Sequence, residues 1–229
     1  MSRGVLVTGA SRGIGRAIVT AFEELGDRVF AHSTAQADLR DPEAAQALVE
    51  RAVGELGEID VLVNNAAISV ANPPVTSTYE QWVAAWQETF AVNIFGAANV
   101  SHCVVKHMVA RGEGGRIVNV GSRGAFRGEP ENPAYGASKA ALHSFGQSLA
   151  AAVAPYGIGV ASVAPGYILT ERQADRLGGP DGEKIRAQSP FARVGTPQEV
   201  AAAVVYLASP QGIWASGSVL DLNGASYLH

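Results

Sequence analysis

The chain has one cysteine, few charged residues and no long apolar run, and each shortage excludes a class of protein. Cys103 alone cannot form an intrachain disulfide framework or a multi-cysteine zinc site, and it fits a reducing cytoplasm. Charged residues make up only 17% of the 229 residues, which argues against a long disordered tail. No apolar run approaches ~18 residues, so we expect no membrane span.

The charge balance and the histidine pattern exclude further classes. Seventeen basic and 21 acidic residues give a formal net charge of −4, whereas nucleic-acid and membrane-surface binders usually carry a basic patch. The first residues lead directly into an apolar strand, so no signal peptide is expected. The five histidines show no pattern typical of a metal site, and we expect no metal ion.

Short apolar runs alternate with longer helix-like stretches along the whole chain. Strands are predicted at 5–7, 28–31, 37–39, 59–63, 116–120, 158–163 and 218–222, and helices at 14–25, 42–56, 78–111, 132–153 and 197–208. Continuously apolar strands are typical of a parallel sheet that helices bury on both faces. The pattern predicts one α/β domain over 1–229: a doubly wound (Rossmann) three-layer sandwich with a central parallel sheet of about seven strands.

A glycine-rich turn, Thr8-Gly9-Ala10-Ser11-Arg12-Gly13-Ile14-Gly15, joins the first strand to the first helix. Glycine permits a tight turn and a close backbone approach to phosphate, and a helix N-terminus offers free N–H groups to an anion. This position favours a dinucleotide site contacted by Gly9, Ser11, Arg12, Gly13, Ile14 and Gly15. A turn that serves only packing is the alternative.

Several motifs occur in an order that resembles one known family. After the glycine-rich turn come Asn64-Asn65-Ala66-Ala67, Asn93, Ser122, Tyr135-Gly136-Ala137-Ser138-Lys139, Pro165-Gly166 with Thr170, and the segment 190–201. Together they resemble the short-chain dehydrogenase/reductase family, in its single-domain branch, and most of all members of the 3-oxoacyl carrier-protein reductase type. Ala67 departs from the pattern, since the family carries glycine there.

Tyr135 and Lys139 are four residues apart on a predicted helix, so they lie on one face about one turn apart. An ammonium near a phenol favours the phenolate, so we expect Lys139 to lower the pKa of Tyr135 towards the working pH of a general acid/base. Ser122 ends the fifth predicted strand, where its hydroxyl can stabilise charge on a substrate oxygen. The resemblance implies a catalytic set of Asn93, Ser122, Tyr135 and Lys139, with Asn93 placing a water that links Lys139 to solvent. A helix-surface contact, a turn serine and a structural asparagine are the alternatives.

The choice between NADP and NAD depends on the segment after the second strand. An NAD-specific site usually has an acid there, whereas this chain has Ala31-His32-Ser33-Thr34. We therefore expect NADP, with its 2′-phosphate bound by Arg12 and hydrogen-bonded by His32 and Ser33. Asp38-Leu39 matches the family's pair that contacts adenine. If the short loop moves Asp38 towards the ribose, the preference changes to NAD.

The resemblance also implies further contacts, a lid and an assembly. Cofactor contacts are expected from Asn65, Ala66, Ala67, Tyr135, Lys139, Pro165, Gly166, Ile168 and Thr170, and a substrate lid over about 168–195. Arg123 and Arg127 attract an anionic substrate, or they are surface or interface residues. We expect a cytoplasmic homotetramer or homodimer that binds neither nucleic acid nor membrane.

The resemblance implies an NADP-dependent oxidoreductase that interconverts a small-molecule ketone and a secondary alcohol, a 3-oxoacyl group being one candidate. A catalytically silent dinucleotide-binding regulator with the same fold is the alternative.

Overall fold

The structure is a computed structural model and describes residues 2–228. Six parallel strands form its sheet: β1 (Gly4–Val7), β2 (Arg28–Ala31), β3 (Val61–Asn64), β4 (Gly115–Val120), β5 (Ile158–Pro165) and β6 (Val219–Leu222). Their order across the sheet is β2-β1-β3-β4-β5-β6. The chain leaves β1 towards one edge and returns on its other side at β3, so the strand order reverses beside β1. Ligand sites of such sheets lie at this reversal, outside the carboxyl ends of the strands.

Residues 2–228 form eight α-helices. They are α1 (Gly13–Glu24), α2 (Pro42–Leu56), α3 (Tyr79–Phe90), α4 (Ala97–Arg111), α5 (Pro133–Val153), α6 (Ala174–Gly178), α7 (Gly182–Arg186) and α8 (Pro197–Leu207). The short helices α6 and α7 lie within the segment predicted as a lid.

The core has two halves, one on each face of the sheet. Val5 and Val7 of β1 pack on one face with α1 and α8, whereas Leu6 packs on the other with α2 and α4. Strand side chains alternate between faces, so a strand apolar at every position must be covered on both sides. The prediction of a doubly wound three-layer sandwich is confirmed.

The strand predicted at 37–39 is wrong, and the sheet has six strands instead of about seven. After β2, the Gln36 side chain accepts a hydrogen bond from the Ser33 backbone N–H at 2.7 Å, closing a turn. The Ala37 and Asp38 carbonyls then bond to the His32 ring and to the Asp41 N–H. Because these backbone groups are used locally, they do not pair with a neighbouring strand. Leu39 is nevertheless buried, so its apolar side chain indicated a core position and not a strand.

The long helix predicted at 78–111 is interrupted by a π-helical stretch, Ala91–Gly96, between α3 and α4. Such bulges are rare and frequently occur at functional sites. This one carries Asn93.

Candidate active site and cofactor cavity

The turn between β1 and α1 has a backbone that only glycine adopts readily. Gly9 and Gly13 have φ values of +65° and +54°. A Cβ on Gly9 would lie 2.6 Å from the Ala66 Cα, and one on Gly13 would lie 3.2 Å from the Thr170 Cγ2. Arg12, the N-cap of α1, makes no side-chain capping bond, so the first amides of the helix keep their donors for an anion. The cradle therefore fits a pyrophosphate.

Side-chain bonds fix the two loops that form this cradle. The Thr8 hydroxyl accepts the backbone N–H groups of Asn65 and Ala66 at 3.0 and 3.1 Å. The Asn65 amide donates in return to the Thr8 and Gly9 carbonyls, both at 2.9 Å. The loop after β3 thus holds the loop after β1 in a defined position.

A cavity of about 370 Å³ extends from the cradle. Predicted cofactor residues that line it are Gly9, Ser11, Arg12, Gly13, Ile14, Gly15, His32, Asp38, Leu39, Asn65, Ala66, Ala67 and Thr170. Residues that the sequence reasoning missed are Thr34, Arg40, Ile68, Glu88, Val92, Glu171 and Arg172. Most of these missed residues adjoin predicted residues in the chain or lie in the predicted lid, whereas Glu88 and Val92 are brought here only by the fold.

His32 and Ser33 are already engaged within the protein. The His32 ring accepts from the Gly9 N–H at 3.4 Å through Nδ1, and its Nε2 lies 2.9 Å from the Ala37 carbonyl. Burial lowers the pKa of His32, so the neutral ring with its proton on Nε2 fits both bonds. Ser33 does not line the cavity and bonds to Gln36 instead. His32 therefore braces the glycine turn against the loop after β2.

Asp38 is paired with Arg40. The guanidinium donates from Nε at 2.9 Å and from Nη2 at 2.5 Å, and it lowers the pKa of the Asp38 carboxyl. A second acid, Glu88, lies 4.0 Å from Arg40. The negative charge of Asp38 is thus compensated, whereas exposed Arg12 at the same cavity has no ion-pair partner among the described residues.

Ser122, Tyr135 and Lys139 meet at the carboxyl ends of β4 and β5. Ser122 follows β4, and the other two lie in the first turns of α5. The Lys139 ammonium lies 5.7 Å from the centre of the Tyr135 ring and donates to the Val120 carbonyl at 2.8 Å. This bond fixes the lysine below the tyrosine.

The pKa values of this group are set mainly by burial. Burial raises the pKa of Tyr135, while the nearby Ser122 hydroxyl lowers it in part. Burial lowers the pKa of Lys139 to about 8. The structure thus differs from the sequence expectation for Tyr135, because the lysine bonds to Val120 and does not reach the phenol oxygen.

Asn93 is 1% exposed and does not line the cavity. Its amide donates to the Ile68 carbonyl at 3.0 Å and to the Ser138 hydroxyl at 2.9 Å, and its oxygen accepts from the Ile68 N–H at 2.9 Å. Asn93 therefore connects the π-helical stretch to the loop after β3 and to α5, beside Lys139.

A second cavity of about 410 Å³ adjoins the first. We call the first the cofactor cavity and the second the catalytic cavity. Of the predicted residues, Ile14, Asn65, Ala67, Ser122, Tyr135, Lys139, Pro165, Gly166, Ile168 and Thr170 line it. It is also lined by Ser69, Ala71, Val120, Gly121, Arg123, Glu129, Asn132, Tyr167, Arg172, Gln173 and Arg176. Arg127 lies outside it and donates to Gln188 at 2.8 Å. The structure thus joins the glycine cradle and the tyrosine group into one continuous site.

Comparison with known proteins decides the family. Residues 9–224 match the family model described as Enoyl-(Acyl carrier protein) reductase. The chain belongs to the short-chain dehydrogenase/reductase family. This confirms the resemblance read from its motifs, and the chain is an NAD(P)-dependent oxidoreductase of that family.

Individual relatives span almost the whole chain. It is 36% identical to an L-rhamnose 1-dehydrogenase (NAD(P)(+)) from Sphingomonas sp., covering 98% of this chain and 96% of the relative. It is 33% identical to a 3-oxoacyl-[acyl-carrier-protein] reductase FabG from Vibrio cholerae, covering 97% and 96%. The solved structure of ElxO with NADP bound has a TM-score of 0.88 at 28% identity, covering 99% of both chains.

Residues 2–228 lack two features. No helix in that range has both the length and the apolar character needed to cross a bilayer. No group of three or more His, Cys, Asp or Glu side chains in the same range is arranged to hold a metal ion.

Proposed function

We propose that this short-chain dehydrogenase/reductase interconverts a ketone and a secondary alcohol with NADP, using Tyr135 as the general acid/base. The convergence of Ser122, Tyr135 and Lys139 on one cavity that continues into the glycine cradle carries the proposal. A protein that only bound the dinucleotide would not need a titratable phenol and a buried ammonium beside the place where a substrate enters.

Each side chain has a role that follows from its position. When bound, the nicotinamide supplies the hydride in reduction and accepts it in oxidation. Tyr135 donates its proton to the carbonyl oxygen in reduction and takes it back in oxidation. Ser122 hydrogen-bonds the same oxygen and stabilises the charge that develops there. Lys139 would hold the ribose next to the nicotinamide.

Asn93 is a positioning residue in this proposal. Its bonds to Ile68 and Ser138 hold the π-helical stretch beside α5. The Ile68 carbonyl, already bonded to Asn93, lies next to the cofactor cavity and can also accept from a water. We propose that this water passes protons between Lys139 and solvent.

We further propose that NADP is preferred over NAD. Support comes from Arg12, which is exposed at the cavity without an ion-pair partner, and from Asp38, whose charge Arg40 compensates. A 2′-phosphate placed there meets a cation and no uncompensated carboxylate. The NADP found in the related ElxO structure also supports the choice.

The segment 168–195 is proposed as the substrate lid. It contains α6 and α7, and its residues Ile168, Thr170 and Arg172 line the catalytic cavity. Glycines at its centre allow the hinge motion that closing over a substrate requires.

The decisive experiment measures NADPH oxidation at 340 nm with a panel of ketones that includes a 3-oxoacyl thioester. Tyr135→Phe should lose at least about 100-fold in rate, since it removes the proton donor, while NADPH binding persists. Tyr156→Phe is the matched control, because this tyrosine is 54% exposed and lies outside both cavities. Undiminished turnover in Tyr135→Phe would remove that residue from its role, and tight NADPH binding without turnover of any ketone would favour a silent regulator.

The cofactor proposal has a separate test. Arg12→Ala should weaken NADPH binding at least about tenfold while leaving NADH binding nearly unchanged, because only NADPH carries the phosphate. Equal losses for both dinucleotides would refute the 2′-phosphate contact.

We propose a homotetramer or homodimer in the cytoplasm. Phe95, next to α4, is 60% exposed, and Trp214 beside the edge strand β6 is 97% exposed. We propose that each side chain belongs to a contact between subunits, since contiguous exposed apolar surface marks protein–protein contacts. Light scattering on the wild type and on Phe95→Glu tests this, since a charge placed in the contact should yield a smaller particle.

A further inference from the structure

The substrate side of the catalytic cavity contains more positive charge than the protein compensates. Arg123, Arg172 and Arg176 line it together with Lys139, whereas Glu129 is its only acidic lining residue. None of the three arginines has a carboxylate oxygen within 4.0 Å in residues 2–228.

Arg123 carries the strongest part of this observation, because it is only 5% exposed. Its guanidinium donates to the neutral side chains of Ser226 at 2.5 Å and Gln188 at 3.0 Å, and it lies 5.1 Å from the centre of the Tyr167 ring. Burying a charge without an opposite charge is costly. The hydrogen bonds of Arg123 go to neutral groups, and the charge of Glu129 offsets the cost of its burial only in part, so the cavity favours the entry of an anion.

Two further guanidinium groups stand at the mouth of the same cavity, on the lid. Arg176 lies 5.6 Å from the centre of the Tyr167 ring that Arg123 also contacts. Arg172 donates to the Ser69 carbonyl at 3.2 Å and forms no ion pair within residues 2–228. Arg123 from the loop after β4 and Arg176 from the lid therefore both contact Tyr167, and Arg172 lines the same cavity.

Glu129 faces these arginines across the cavity. It is half-buried, and no described group donates a hydrogen bond to its side chain. Burial raises the pKa of its carboxyl, while the charges of Arg123, Arg127 and Arg176 act in the opposite direction. A carboxyl in this position is an acceptor for substrate hydroxyl groups.

We infer that the substrate is a short hydroxylated carboxylate of the sugar-acid class, or its keto acid. The substrate carboxylate binds Arg176 and Arg172 within the positive field of Arg123, and Glu129 accepts from a hydroxyl group. This inference rests on the proposed function. In oxidation the secondary alcohol loses a hydride to the oxidised nicotinamide and a proton to Tyr135, becoming a ketone, while its carboxylate is unchanged.

The test compares acids with neutral polyols of equal chain length. Gluconate and its keto acids are paired with sorbitol, and threonate with threitol. Their binding to the enzyme–NADP complex is measured by calorimetry, and turnover is followed at 340 nm. The acid of each pair should bind at least about tenfold more tightly, since a hydrogen bond to a charged group is worth about that factor or more.

Variants assign the preference to particular residues. Arg123→Met should make the acid and the polyol bind equally tightly. Arg176→Met should have the same effect, and because Arg176 is exposed, its replacement should not disturb folding. Glu129→Gln should weaken the acid and the polyol alike. Arg28→Met is the control, because Arg28 begins β2 at the opposite end of the sheet.

Equal binding of acid and polyol, within about threefold, would overturn the inference. So would turnover of a 3-oxoacyl thioester by an enzyme that binds none of the acids. In both cases, ketone turnover that is abolished by Tyr135→Phe would leave the proposed function intact. Failure of the proposed function would show itself differently, as an absence of turnover with every ketone of the panel.

Discussion

Replacing Gly15 with alanine tests whether close packing of α1 against the loop after β3 shapes the cofactor cradle. A Cβ at this position would overlap the Gly9 carbonyl oxygen, and it would lie 2.6 Å from the Asn65 Nδ2 and 3.0 Å from the Ala10 Cα. Two of these atoms are backbone atoms of the glycine-rich turn, so no side-chain rotation relieves the overlap. The turn itself must move.

Gly54→Ala is the matched control. Gly54 lies in α2, and a Cβ there would have no neighbour within 4 Å. Both replacements exchange a helical glycine for alanine, which stabilises a helix by about 0.5–1 kcal/mol. Only Gly15→Ala adds overpacking, which costs about 1–3 kcal/mol. The free energies of unfolding of the two variants should therefore differ by about 1–3 kcal/mol, with Gly54→Ala at or above the wild type.

Urea unfolding with a two-state fit gives this difference, and fluorescence titration gives NADPH affinity. Because the Gly9 carbonyl and Asn65 border the cradle, Gly15→Ala should also weaken NADPH binding, whereas Gly54→Ala should leave it unchanged. If Gly15→Ala proved as stable as Gly54→Ala and bound NADPH normally, the proposed packing of α1 against these loops would be refuted.

Three further predictions concern pH and helix capping. The pKa of buried His32 is below its usual value, so the unfolded chain takes up a proton first as pH falls below about 6.5. Stability should be full above that pH and decline below it, and His32→Gln should show a smaller decline in urea titrations; an identical decline would contradict this. Burial lowers the pKa of Lys139 to about 8, so ketone reduction should fall as pH rises through that value, when the ammonium is lost. Lys139→Arg, whose guanidinium stays charged, should lose rate overall but not show this fall. If its pH profile matched that of the wild type, deprotonation of Lys139 would not be the cause of the fall. Thr196 caps α8 through a reciprocal bond pair with Glu199, so Thr196→Ala should cost about 1 kcal/mol in unfolding free energy. Thr76→Ala, in an exposed turn, should cost almost nothing, and equal costs would contradict the capping account.

Local patterns were sufficient for most of the fold. The runs around Val5, Val61 and Val163 are apolar at every position, and such runs are stable only inside a sheet covered on both faces. Parallel strands joined by helices place their carboxyl ends at one edge. The positions of Ser122 after β4 and Tyr135 in the next helix therefore followed from the order of the elements. The segment 37–39 escaped this reasoning, because the apolar side chain of Leu39 is buried in a turn.

The sequence by itself determined the layers, the glycine turn and the family motifs, since each depends on residues that are neighbours along the chain or repeat with a fixed period. Tertiary structure alone decided which charges meet. It brings Glu88 to 4.0 Å from Arg40, bonds both nitrogens of His32, and fixes Lys139 on the Val120 carbonyl. It also brings Arg123 beside the lid arginine Arg176, although they are far apart in the chain. Electrostatic and hydrogen-bonding energies depend on distance in space, and spacing along the chain does not report that distance.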